Sequence, residues 1–162
     1  MALSAGKLKL NFTGKHTVTT GIGTSASDAS ITHAFTVDQD FPNGTSLPAT
    51  VVGSFTLTLA SSTAFIDMNA VPIGNGATAD ATGLKLQCLA VANRSGNGDL
   101  VLSYGTSSPY NFAGTSFNFA MEAGGKFLAF QNDGAADVST AARYILATGT
   151  GTQSFDVMVI AG

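Results

Sequence analysis

Residues 116–134 read SFNFAMEAGGKFLAFQNDG, and this stretch decides the fold. Phe117, Phe119 and Met121 alternate with Ser116, Asn118 and Glu122. Successive side chains of a strand point to opposite faces, so the run describes a strand with one buried face and one wet or contacting face. Gly124-Gly125 interrupts it, and Lys126–Gln131 resumes the apolar pattern. A glycine pair supplies the positive φ angles of a tight turn. The two halves are therefore expected to form a hairpin.

The same period of two recurs along the chain. Leu8, Leu10 and Phe12 alternate with Lys7, Lys9 and Asn11, and Ile31, His33, Phe35 and Val37 with Thr32, Ala34 and Thr36. Phe55, Leu57 and Leu59 alternate with Thr56 and Thr58. Leu84, Leu86, Cys88 and Ala90 are expected to share one face, and Phe155, Val157 and Val159 another opposite Asp156. Antiparallel sheets give this alternation, whereas buried parallel sheets give unbroken apolar runs. Turn signals separate the runs at Asn43-Gly44, Asn75-Gly76, Asn97-Gly98 and Asp133-Gly134. A second hairpin is expected between Leu84–Ala92 and Asp99–Tyr104. The 10-residue stretch from Gly21 to Ser30 reads as an exposed loop.

The expectation is an all-β fold: an antiparallel β-sandwich of jelly-roll type, with about 8–10 strands at this spacing. Helix is limited to short turns, with Ser61–Asn69 and Ala135–Ala142 as the two candidates. The 162 residues suit a single domain over 1–162, with 1–14 as an extended arm or edge strand.

Composition points the same way. Of ten acidic residues nine are Asp and only Glu122 is Glu. Glu, Lys and Arg are the usual filling of exposed helix faces, so their scarcity beside 19 Gly argues for strands and turns. Charged residues make up 10% of the chain, well below the usual share of about 25%. The net charge is −3 and the seven basic residues are scattered, which argues against direct nucleic-acid binding. No apolar run approaches the ~20 residues of a membrane span. The N-terminal residues lack a signal-peptide core, so synthesis in a cytoplasm is expected.

Groups able to do chemistry are few. His16 and His33 are the only histidines, and His33 falls in phase with Ile31 and Phe35, as a core or edge residue would. Cys88 is the only cysteine; it lies on an apolar alternation, which suits an inert buried thiol. Asp38 and Asp40 offer two oxygens to a cation, but a calcium loop needs more ligands in a set order. Gly21-Ile22-Gly23 and Gly149-Thr150-Gly151 lack the Lys-Ser/Thr continuation of a phosphate loop. No catalytic, cofactor or metal residue is assigned, and the chain is expected not to be an enzyme. The candidate interface or binding residues are aromatic: Tyr104, Tyr110 and Phe112 in a turn-like segment, with Phe41 and Pro42 earlier. Exposed aromatics stack on sugars or anchor interfaces.

Residues 89–105, LAVANRSGNGDLVLSYG, begin a rhythm that continues through Phe117–Met121, Gly124-Gly125-Lys126-Phe127 and Arg143–Ile160. A strand ends in an Asn-containing turn; an aromatic strand, a Gly-Gly turn and a final strand pair follow. Over Leu84–Gly162 this resembles small structural virion proteins of tailed bacteriophages. The resemblance implies a capsid decoration, cement or minor capsid protein, located in the virion, that binds copies of itself and a major capsid protein. A receptor- or glycan-binding domain of a phage fibre is the alternative. Low charge fits surfaces covered by neighbours, because charge is depleted at interface cores. Few Lys or Pro residues guard the strand edges, as free edges normally require.

Overall fold

A computed structural model describes residues 5–20, 27–42, 49–131 and 135–162, with the backbone alone described for the first two stretches. The chain is all-β, with a single 3-10 turn at Gly74–Gly76 among the described residues. It forms two compact units, one covering Ala5–Phe41 and the other running from Pro42 to Gly162.

The first unit is a two-stranded sheet of β1 (Ala5–Thr20) and β2 (Ser27–Pro42), each 16 residues long. Both alternating runs expected before residue 40 fall in these strands. β2 takes in Ser27–Ser30, which the sequence assigned to a loop. The Asn43-Gly44 and Asp133-Gly134 turns lie outside the described residues.

The second unit contains two four-stranded sheets. Its strands are β3 (Val51–Thr58), β4 (Thr63–Asp67), β5 (Val71–Pro72), β6 (Thr78–Ala79), β7 (Leu86–Asn93), β8 (Leu100–Ser103), β9 (Asn118–Met121), β10 (Lys126–Phe130), β11 (Tyr144–Thr148) and β12 (Ser154–Ala161). One sheet has the order β10-β7-β12-β3 and the other β4-β11-β8-β9; β5 and β6 form a two-residue ribbon. Every pairing in these sheets is antiparallel.

The alternation explains the core. In the first sheet Val51, Phe55 and Leu57, then Phe155, Val157 and Val159, then Leu89 and Val91 turn inward. The second sheet adds Ile66, Ile145, Ala147, Leu100, Leu102 and Met121 to the same buried cluster. Thr56, Thr58, Ser54 and Asp156 occupy the opposite, exposed phase. Gly53 sits where β5 crosses close to β3. A Cβ there would stand 2.4 Å from Val71 Cγ1 and 2.6 Å from the Pro72 carbonyl oxygen.

Both expected hairpins are replaced by crossings between sheets. β9 pairs with β8 and β10 pairs with β7, so the Gly124-Gly125 turn carries the chain from one sheet to the other. β7 and β8 likewise lie in different sheets. The turn residues are where the sequence puts them, with Gly124 at φ +77°. Partner choice is long-range, and a glycine turn serves a hairpin or a crossing equally. Neither helical candidate forms: Ser61–Asn69 contains β4, and Ala135–Ala142 makes isolated bridges from Asp137 to Lys85 and from Ser139 to Ala142.

Leu86 and Cys88 do not share a face. The β7–β12 register slips so that Cys88 opposes Ile160 while Leu86 opposes Ala161. Gln87 is the extra residue of a β-bulge, which inverts the phase of the strand. Leu86 joins the core cluster; Cys88 and Ile160 are buried outside it.

Candidate functional site

The inward faces are committed to the core, so recognition has to use the opposite faces, the loops or the edges. On the opposite face of the first sheet the registers define rows. Lys126, Ala92, Asp156 and Thr56 form one; Leu128, Ala90, Met158 and Ser54 form the next; Phe130, Cys88, Ile160 and Val52 form the third.

The Asp156 and Thr56 end of the first row is polar and bonded to Arg94. Arg94 reaches back from the β7–β8 turn and grips Asp156 with two nitrogens, Nη2 to Oδ1 at 2.6 Å and Nε to Oδ2 at 3.3 Å. The Thr56 hydroxyl also donates to Asp156 Oδ1, at 2.7 Å, while Arg94 Nη2 contacts Thr56 Oγ1 at 3.0 Å. The guanidinium and the hydroxyl hold the Asp156 carboxyl below the usual carboxylate range. In the next row Leu128, Ala90 and Met158 are apolar and only Ser54 is polar, and the third row is wholly apolar. Leu128 is 40% exposed, Ala90 and Met158 are half-buried beside it, and Cys88 and Ile160 are buried. Polar and apolar halves thus share one sheet face.

The second sheet presents Phe65, 43% exposed, 5.1 Å from the Tyr144 ring. The Arg143 guanidinium stands over that ring at 4.3 Å, donates to the Tyr144 hydroxyl, and lies 3.4 Å from Asp67 Oδ2. At the open edge between the sheets, Phe119 contacts Phe117 at 5.8 Å and Phe127 at 4.7 Å.

The loops at one end of the sheets are tied by a single buried amide. Asn93 Nδ2 donates to the carbonyls of Gly98, Met121 and Glu122, at 2.9, 3.1 and 2.9 Å. Its Oδ1 accepts from Asn97 Nδ2 at 2.7 Å, and Asn97 also donates to the Ser154 carbonyl. One side chain therefore joins the β7–β8 turn to the β9–β10 crossing.

The residues singled out in the sequence separate. Tyr110 and Phe112 are buried, and Tyr104 is half-buried with its ring edge-on to Phe117 at 6.4 Å. Tyr110 is a structural tie: its hydroxyl accepts from the Leu86 N–H at 3.0 Å and donates to the Ala136 carbonyl at 2.6 Å. Tyr110 is fully buried, and Phe112 is 2% exposed. Composition reads the segment as a turn. The Pro109–Tyr144 bridge and the Tyr110 N–H to Tyr144 carbonyl bond dock it against the second sheet. The side chains of Phe41, Pro42, His16, His33, Asp38 and Asp40 lie outside the described residues. Phe65 and Leu128, both exposed, were not singled out in sequence; both occur in strands whose alternation would have placed them on the non-core face.

A cleft of about 630 Å³ is lined by Asn111, Phe112, Ala113, Gly114, Gln131, Ala135 and Ala136. None of these carries a titratable side chain. Burial pushes the Cys88 thiol up to about 11, far from a reactive thiolate. Among the described residues no three His, Cys, Asp or Glu side chains come together as a metal site would require, and no helix is long and apolar enough to cross a membrane. Compared with known families, characterised proteins and solved structures, the chain finds no match.

Proposed function

We propose that this chain is a structural protein of a virus particle, a capsid decoration, cement or minor capsid protein that works through contacts with its own copies and with a capsid protein. The observation that carries this reading is the strand order. Relabelled consecutively from β3, omitting the short β5–β6 ribbon, the sheet β10-β7-β12-β3 becomes sixth, third, eighth, first. The sheet β4-β11-β8-β9 becomes second, seventh, fourth, fifth. Two four-stranded antiparallel sheets in that order over one core support reading the unit as a jelly-roll sandwich, the architecture of many viral capsid domains.

Lectins and cupins use jelly rolls too, and a fold alone does not fix a function. The surface narrows the choice. With 10% charged residues, an exposed Leu128 strip and an exposed Phe65, the domain has faces suited to being covered. Charge depletion and aromatic enrichment are the marks of interface cores. In this reading the protein is a homo-oligomeric virion component with no catalytic task.

Glycan or receptor binding is the second reading, and the exposed Phe65 beside Tyr144 favours it, flanked by Arg143 and Asp67. Light scattering coupled to size-exclusion chromatography, with negative-stain electron microscopy, separates the two. The structural reading expects oligomers of one defined size. A monodisperse monomer at every concentration, together with saturable glycan binding lost in Phe65→Ala, would turn the assignment to the second.

A further inference from the structure

Asn97-Gly98 lies in the β7–β8 turn, where that turn meets β12 and the residues before it. An Asn-Gly pair carries its own chemistry. With no Cβ on the glycine, its backbone nitrogen can close on the preceding side chain. The Gly98 nitrogen gives its proton to hydroxide and bonds to Asn97 Cγ. The Cγ–Nδ2 bond breaks, and Nδ2 takes a proton from water and leaves as ammonia. Water then opens the cyclic imide at either carbonyl. The product is an Asp or an isoaspartyl link at position 97, and nothing is oxidised or reduced.

In the folded chain every group this reaction needs is held. The two Nδ2 protons of Asn97 go to Asn93 Oδ1 and to the Ser154 carbonyl, both at 2.7 Å. These bonds fix the side chain, and turning Cγ onto the Gly98 nitrogen breaks them. The Gly98 N–H donates to Gln153 Oε1 at 3.1 Å, so the nucleophile is engaged as well. The Gly98 carbonyl accepts from Asn93 Nδ2 at 2.9 Å, which keeps the glycine in place. Gly98 itself is exposed, so water reaches the pair. Hydrogen bonds, rather than burial, are what keep it intact.

We propose that Asn97 is a latent deamidation site, held closed by Asn93, Ser154 and Gln153, whose conversion is a one-way release of this end of the domain. An ionised carboxylate at position 97 has no proton to donate. Its charge faces the Asn93 and Ser154 oxygens that the amide had bonded. The tie from the turn to β12 is lost with the reaction, and Asn93 Oδ1 loses its donor. The isoaspartyl form also adds a methylene to the main chain of the turn. This holds whether or not the protein assembles.

Timed incubation of the full chain at pH 8, native and in denaturant, tests it by peptide mass mapping. Each net hydrogen bond shifts an opening equilibrium roughly fivefold. Three must open, so Asn97 should react about a hundredfold more slowly in the native chain. Gln153→Ala frees the Gly98 N–H; it should raise the native rate about fivefold and leave the denatured rate unchanged. Amide exchange should quicken at Gly98 in this variant and stay as before at Val157 in β12. Where Val157 quickens too, Gln153→Glu keeps an acceptor for Gly98 and is expected to stay slow; a fast rate there overturns the proposal. The aged fraction, separated by its added negative charge, should unfold at lower urea than the unaged protein. Equal native and denatured rates at Asn97 overturn the proposal. So does Gln153→Ala with Gly98 exchange raised and deamidation unchanged, and so does an aged fraction as stable as the unaged one.

Discussion

Replacing Asn93 with Ala should be among the most damaging single changes in the sheet-bearing unit, although it removes only a small polar group. Asn93 is 2% exposed, and its amide nitrogen is shared among the Gly98, Met121 and Glu122 carbonyls. The NH2 group has two protons for three acceptors, so at least one bond is shared. Counting two donated bonds and the one accepted from Asn97, at about 1 kcal/mol each, gives a loss of about 3 kcal/mol. For a chain of this size that is a fall in Tm of roughly 6–12 °C. Thermal and urea unfolding of wild type and Asn93→Ala measure it directly.

Asn93→Asp separates hydrogen bonding from packing, since it keeps the shape. An ionised carboxylate cannot donate to three carbonyls, and its charge would be buried against their oxygens. The folded state should therefore raise the pKa of Asp at position 93 above its unfolded value of about 3.9. Stability is then retained below that unfolded value and lost as pH rises through the folded one. Asn93→Asp should lie about 1 kcal/mol below wild type at acid pH, where one O–H replaces two N–H donors, and fall well below Asn93→Ala at pH 8. A loss under about 1 kcal/mol for Asn93→Ala, the value of a single net hydrogen bond, would refute the proposed clasp. So would an Asn93→Asp deficit that does not change with pH.

Other consequences can be checked in the same assays. Tyr110→Phe leaves the Leu86 N–H and the Ala136 carbonyl without their partner; a loss of about 2 kcal/mol in urea unfolding is expected. Gly53→Ala forces a methyl against Val71 and the Pro72 carbonyl and should cost about 1–3 kcal/mol by overpacking. Cys88 should resist maleimide at pH 8 in the native state and label fully in denaturant; stoichiometric native labelling would contradict its burial. Asp156 is held below the usual carboxylate range by Arg94 and Thr56. The stability this gives is present above the unfolded pKa and disappears as pH falls through the folded one. Asp156→Asn should flatten that part of the pH profile in low salt, with a small effect because the pair is half exposed.

What the sequence disclosed and what it hid follow one physical line. Period-two alternation is local, so the runs at Phe55–Leu59 and Phe155–Val159 can be read directly, and with them the inward faces; at Phe117–Met121 the reading holds for Phe117 and Met121 but not for Phe119, which is 36% exposed. Turn chemistry is local too, and Gly124 stands at the positive φ its position implies. Pairing is not local. β3 meets β12 across about a hundred residues of chain, with Thr56 bonded to Asp156, and no residue near either strand specifies the other. A two-glycine turn looks the same whether the chain returns to its own sheet or crosses to another. The bulge at Gln87 is equally silent, because an inserted residue leaves the composition of the run untouched while reversing the face that Cys88 occupies. The burial of Tyr110 and Phe112 is silent in the sequence for a related reason: Ser, Pro and Gly around them describe backbone shape, and burial is decided by the strand that the segment docks on.

The poverty of charge that first suggested a covered surface can now be located. Arg94 and Asp156 neutralise each other at one end of a sheet face, and Arg143 is occupied by Tyr144 and Asp67 on the other sheet. Two of the few charged side chains on each face thus answer one another and leave the rows beside them apolar. A water-facing surface would spread its charges, since scattered like charges keep copies apart. Here they are gathered at the margins of Leu128–Met158 and of Phe65, where a polar rim would border an apolar contact. Adding charge within the strip is therefore a sharper probe than removing it from the rim. On the proposed assembly reading, Leu128→Asp abolishes association while leaving monomer stability close to wild type, because Leu128 is 40% exposed and lies outside the core cluster. On the same reading, Arg94→Ala leaves association nearly intact and chiefly weakens its dependence on salt. If the two variants behaved alike in light scattering, the division of that face into an apolar contact and a polar margin would be wrong.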